Sequence, residues 1–127
     1  MSVTYFLLIF AASVMASLSQ FLAKLGSQKL TSLFQPGNHI LIRLVKTLGI
    51  LFEPHLFFAI AIQGIVFFIW VKILTGTELS RSYPIFVSIT VVTTMLISLL
   101  VLKEPPSYSK FLGMASIIIG IALLFSK

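Results

Sequence analysis

The chain has 127 residues, 58% of them hydrophobic and only 9% charged, with a mean hydropathy of +1.12, whereas a soluble domain carries roughly a quarter charged residues. Nine Lys and Arg against three Glu give a formal charge of +6, but the basic residues flank apolar runs, as anchors at membrane ends do, and this argues against a nucleic-acid surface. There is no cysteine, which excludes disulfides, thiolate metal sites and thiol redox chemistry; His39 and His55 stand in separate segments without Cys or Asp beside them, so no metal site is expected.

The apolar runs are long and continuous, not alternating, so the backbone is expected to satisfy itself in bilayer-spanning helices. We read residues 1–127 as one all-α membrane domain. It is predicted to have four transmembrane helices, at about 3–25, 54–74, 82–102 and 108–125, and an interfacial amphipathic segment at about 39–52.

The first run, from Tyr5, has no Lys or Arg ahead of it and continues past Ala16 to Leu25, so it is read as a retained helix and not as a signal peptide. Ser13, Ser17, Gln20 and Lys24 fall on one face of that helix, and Ala12, Ala16, Ser19 and Ala23 on a neighbouring face of small residues. Small residues let helix backbones approach closely. The polar stripe fits hydrogen bonding between helices or the wall of a polar cavity.

A linker follows, broken at Gln35-Pro36-Gly37-Asn38. Beyond it Ile40 to Phe52 is apolar but interrupted by Arg43, Lys46 and Thr47, a pattern suited to a helix lying in the interface with its basic face toward phosphates.

Pro54 is a favoured first-turn residue and opens the second helix. Gln63 lies near its middle, where an amide needs a neighbouring helix or a substrate as partner. Lys72 is close enough to the helix end to snorkel. In the third helix Pro84 sits in the first turns, and Thr90, Thr94 and Ser98 recur every four residues. Their hydroxyls can bond to the backbone or across to other helices, and the sharper reading is a polar lining. Lys103-Glu104-Pro105-Pro106 ends the helix and is read as mainly structural. The fourth helix carries Gly113, Ser116 and Gly120 at close-packing spacing, which fits contact within the chain or across a dimer.

With four spans, Lys24, Lys29, Arg43, Lys46, Lys103 and Lys110 flank one side, and Lys72, Arg81 and Lys127 the other. The excess of positive charge then places the two connecting loops on the first side in the cytoplasm and both termini outside.

No enzyme constellation can be assembled, because the chain has no Asp and its three Glu (Glu53, Glu78 and Glu104) all lie at helix ends or in loops. We therefore expect neither an enzyme nor a cofactor. A carboxylate in mid-helix, the usual device for exchanging a proton against a cationic substrate, is also missing. Basic and polar groups near the membrane boundaries remain, and these suit a phosphate, whether of a general lipid head group or of a specific ligand.

Several linked motifs resemble the drug/metabolite transporter superfamily. Leu79-Ser-Arg-Ser-Tyr-Pro-Ile85 is similar to its Leu-Ser-x-Ala-Tyr-Pro-Ile signature. A helix closed by Glu104, then Lys110-Phe-Leu-Gly113, and Ser19-Gln20 with Lys24 in the first helix complete the pattern. The multidrug-exporter branch has a first-helix glutamate where this chain has Ala16, and a glycine-rich kink where it has Ser88-Ile-Thr-Val91. Tyr83-Pro84 and Glu104-Pro105 look more like the small EamA-like proteins proposed to flip undecaprenyl-phosphate aminoarabinose.

The resemblance implies a homo- or heterodimer with its substrate site between protomers. It also implies a multi-pass location in the bacterial inner membrane and membrane lipid as a partner, with flipping of a lipid-linked sugar phosphate. On this reading Lys24 and Arg81 meet the phosphate, and Gln20, Gln63, Tyr83 and Thr90 line the polar route. Two other readings are a small-molecule exporter of the small multidrug resistance type and a non-transporting accessory subunit of a membrane glycosyltransferase complex.

Overall fold

The computed structural model describes residues 2–30, 49, 52–105 and 107–124, and these are helical apart from short connections. Four helices are present among them: α1 (Val3–Leu30), α2 (Pro54–Leu74), α3 (Leu79–Leu100) and α4 (Tyr108–Leu124). The first three are long and apolar enough to cross a membrane. α4 is apolar too, but its 17 residues span roughly 25 Å, short of a hydrocarbon core of about 30 Å. The predicted interfacial segment at 39–52 lies outside the described residues except for Gly49 and Phe52.

Two boundaries differ from expectation. α1 runs to Leu30 and does not stop at 25, because no breaker follows Leu25 except Gly26, and Gly26 is held by packing. α3 starts at Leu79, not at 82, and ends at Leu100, not at 102. Pro84 is tolerated inside it because a proline in the first turns removes few intrahelical bonds. The start is tied down from outside: the buried Ser82 hydroxyl donates to Thr77 Oγ1 at 2.7 Å, and Thr77 Oγ1 donates to the Ile73 carbonyl at 2.7 Å.

α2 runs antiparallel to α1, with Gly26 against Leu56, Ser19 bonded to Ala59 and Tyr5 against Gly76. The seam between them is made by small residues. Ala12, Ala16 and Ala59 are buried, and Ile9, Val66 and Ile73 fill the space around them. In lipid there is little hydrophobic gain in bringing helices together, so close van der Waals contact and hydrogen bonds hold such a seam. A methyl group on Gly26 would lie 2.5 Å from Leu56 Cγ and 3.2 Å from Glu53 Oε2, so only glycine fits there. At the far end Gly76 gives the same close approach to the Tyr5 ring.

α3 lies parallel to α1, stitched by two hydroxyls of the polar stripe. Ser13 Oγ lies 2.8 Å from the Ile9 carbonyl and 3.2 Å from that of Phe86. Ser17 Oγ is 3.0 Å from the Ser13 carbonyl and 3.1 Å from that of Thr90. Each single hydroxyl proton is shared between its own helix and α3. α2 and α3 meet mainly through Trp70, whose ring lies 4.9 Å from Phe86 and 6.2 Å from Tyr83.

α2 is capped as its sequence suggests. Glu53 is the N-cap, accepting from the Leu56 amide at 3.1 Å, and Pro54 follows. A carboxylate there also complements the positive end of the helix dipole.

Candidate functional site

α4 touches α3 only lightly, and the gap is an open groove of about 650 Å³. Its walls are mostly apolar, with Phe86, Val87, Val91 and Met95 on α3 facing Met114 and Ile117 on α4. A polar line runs along the floor through Gln20, Thr90, Thr94 and Ser98 and ends at Glu104, Ser109 and Lys110. A smaller recess of about 220 Å³ adjoins it, sharing Gln20, Thr94, Ser98 and Glu104 and adding Lys24.

The backbone after α3 builds the charged end. Val101 N–H donates to the Ile97 carbonyl at 2.9 Å and Leu102 N–H to the same oxygen at 3.2 Å. Lys103 then takes a left-handed conformation, with φ of 52°. This costs a non-glycine residue about 1–2 kcal/mol, and it turns the chain back so that Glu104 sits over the helix end. There Glu104 N–H donates to the Ser98 carbonyl at 3.1 Å, while Ser98 Oγ donates to Glu104 Oε2 at 2.5 Å. The bonds are reciprocal, and they fix both backbone and carboxylate.

Two lysines from different helices flank this carboxylate. Lys24 Nζ of α1 is 3.8 Å from Oε1, and Lys110 Nζ of α4 is 3.9 Å from Oε2. Both distances exceed a direct hydrogen bond, so the attraction acts through space and the ammonium protons keep room for other acceptors. The surroundings hold the Glu104 carboxyl below the ordinary value of 4.5. The Ser98 hydrogen bond is the largest cause; partial desolvation opposes it, and the Lys24 and Lys110 charges add to the lowering. At neutral pH the end of the groove therefore holds two ammonium groups around one carboxylate.

The three hydroxyls of the α3 stripe are not equivalent. Thr90 Oγ1 donates to the Phe86 carbonyl at 2.7 Å, and Ser98 is committed to Glu104. Thr94 Oγ1 is buried and has no hydrogen-bond partner in the structure. A buried hydroxyl without a partner is uncommon, and this one lies one turn below the charged end.

The six residues expected from the sequence divide into three groups. Gln20, Lys24 and Thr90 come together along the groove and its recess. Arg81 lies at the other end of α3, exposed, 3.9 Å from Glu78 and beside a recess of about 160 Å³ with Gly76 and Thr77. The 17 residues from Arg81 to Ser98 cover roughly 25 Å of helix, so Lys24 and Arg81 do not meet one phosphate at the same time. Tyr83 packs edge-on against Trp70, and Gln63 is exposed on α2; neither lines the groove.

Glu104 and Lys110 are charged groove residues absent from the six expected, and Thr94 had been read only as a member of a candidate polar lining. The available signal was the Lys103-Glu104 turn followed six residues later by a lysine, together with the middle member of the hydroxyl stripe.

Among known proteins, no family model, no curated protein and no solved structure matches this chain. The fold and the apolar helices define a helical protein with three segments able to span a membrane.

Proposed function

We propose that the chain is a transporter that flips an anionic lipid, of the kind in which a sugar is linked to a polyprenyl phosphate, across the bacterial inner membrane as a dimer of the EamA-like type. One observation carries this reading: an apolar-walled groove about the size of a small-molecule site ends in two lysines around a single carboxylate. The apolar walls suit an isoprenoid chain, and the net positive end suits its phosphate. Arg81, at the opposite end of α3, is placed to meet a phosphate on the other side of the membrane, so Lys24 and Arg81 act in succession. The motif resemblance noted above agrees with this assignment.

The test is flipping of a short-chain fluorescent polyprenyl phosphodiester, such as a polyprenyl glycosyl phosphate, in proteoliposomes. Lys24→Ala and Lys110→Ala are expected to slow it at least about tenfold, the loss of one charge-assisted contact. Unchanged rates in both variants would remove the groove from the pathway.

Glu104 supports a second reading, export of a cationic small molecule, because it is an acid inside the groove. Its low protonation tendency and its two lysine neighbours count against proton exchange near neutral pH. Proton release on adding a cationic substrate to lightly buffered protein would favour that reading over lipid flipping.

A further inference from the structure

We infer that Glu104 sets the valence of the head group the groove accepts, favouring a singly charged phosphodiester over a phosphomonoester or a diphosphate. This rests on the anionic-lipid reading above and narrows its substrate class. Among the described residues lining the groove and its recess, the charged ones are Lys24, Lys110 and Glu104. Lys103, the neighbouring cation, is exposed and lines neither. Two positive charges less one negative leave one positive charge.

A phosphodiester carries one negative charge and balances that site. A phosphomonoester carries about −1.5 to −2 at pH 7, because its second proton leaves near pH 6. Its extra charge would face the Glu104 carboxylate.

The carboxylate cannot easily swing away from an incoming anion. Ser98 Oγ holds Oε2 at 2.5 Å, the Glu104 amide is tied to the Ser98 carbonyl, and the left-handed Lys103 fixes the turn. The lysines are less constrained. Their ammonium groups stand 3.8 and 3.9 Å from the carboxylate, so their protons remain available to a phosphate oxygen. Thr94 lines the groove, but its unpaired hydroxyl is buried beneath the surface and is not among the groups that meet the phosphate. The site thus combines fixed negative charge and adaptable positive charge. That arrangement accepts one anionic oxygen pair and repels a second full charge.

The experiment uses the full chain in zwitterionic lipid nanodiscs at pH 8, with two probes of equal chain length: farnesyl methyl phosphate, a diester, and farnesyl phosphate, a monoester. Wild type is expected to bind the diester roughly tenfold more tightly, on the order of one extra like-charge contact at a partly screened site. Glu104→Gln keeps an acceptor for Ser98 while removing the charge, and should reverse the preference. Glu104→Asp should retain the wild-type order. Should Glu104→Gln fail to fold, Lys110→Gln serves: the site then has no net charge, so the monoester should lose more affinity than the diester and the ratio should widen.

If both probes bind and Glu104→Gln, or in its place Lys110→Gln, leaves their ratio unchanged, Glu104 does not set valence and the anionic-lipid reading stands. If neither probe binds wild type, that reading falls and the valence assignment falls with it.

Discussion

The two sides of the molecule are built on opposite plans. Between α1 and α2 the helices touch along their length, with alanines, Ser19, Gly26 and Gly76 at the contact. Between α3 and α4 they barely touch, and the glycines there meet nothing: a methyl group on Gly113 or Gly120 would have no neighbour within 4 Å. Glycine on the closed side is a packing device, and on the open side it leaves space. Ser19 bonds a carbonyl of α2, and Ser13 and Ser17 bond carbonyls of α3; in the groove Thr90 and Ser98 are bonded as well, and Thr94 alone of that stripe has a hydroxyl without a partner. The closed side is tightly packed, and the open side keeps unfilled volume.

The sharpest way to break this contrast is to put the same side chain on each side. Gly26→Val should force α1 off Leu56 and Glu53 and destabilise the protein by about 2 kcal/mol, within the range for overpacking, whereas Gly113→Val should leave stability unchanged. Thermal unfolding in detergent would compare the two; equal losses would mean that α4 packs tightly against α3 and the groove is closed.

The capping glutamate at the closed side comes next. Glu53→Ala removes the side-chain acceptor for the Leu56 amide and is expected to cost about 1 kcal/mol, measured in the same assay.

An effect of similar size and opposite sign is expected at the mouth of the groove. Lys103→Gly relieves the left-handed backbone and should stabilise by about 1 kcal/mol, without altering the Ser98–Glu104 bonds. A loss of stability would show that the Lys103 side chain has a role in the turn.

Ser17→Ala tests the stitching of α1 to α3 and should cost only about 0.6 kcal/mol, typical of a hydroxyl bond between membrane helices.

The smallest effect is the pH dependence of the charged end. Glu104 is held below 4.5 in the folded protein, so its contribution is fully present above the unfolded value and is lost as pH falls through the folded one. The stability difference between wild type and Glu104→Gln should therefore be constant near neutrality and shrink below pH 4.5. A difference that grows in acid would reverse the assigned sign.

Much of the closed side was legible in the sequence, because it depends on spacing within single helices. The alanine face and the serine stripe of α1 follow from a 3.6-residue period, and the structure uses them as the contacts to α2 and α3. Pro54 marked the start of α2. The end of α1 was not legible: the helix was expected to stop at about 25, yet it continues through Gly26, which is a contact to another helix.

The groove was only half legible. Gln20, Lys24 and Thr90 stood out as polar residues in apolar surroundings. The pairing of Lys24 with Glu104 joins residues eighty positions apart, and no periodicity reports a contact of that kind. Thr94 was visible as one of three equivalent hydroxyls; only the partners of Thr90 and Ser98 set it apart. Arg81 was grouped with Lys24 by charge alone, and the length of α3 separates them.

The central claim is that the α3–α4 groove receives the lipid. A photoactivatable polyprenyl methyl phosphate, a diester, crosslinked in proteoliposomes and mapped by mass spectrometry, tests it most directly. Crosslinks are expected at Val91, Met114 and Ile117 on the groove walls, reduced by excess unlabelled polyprenyl methyl phosphate. Crosslinks concentrated instead on the exposed face of α2, at Phe57, Phe67 or Phe68, or spread evenly over the apolar surface, would contradict it.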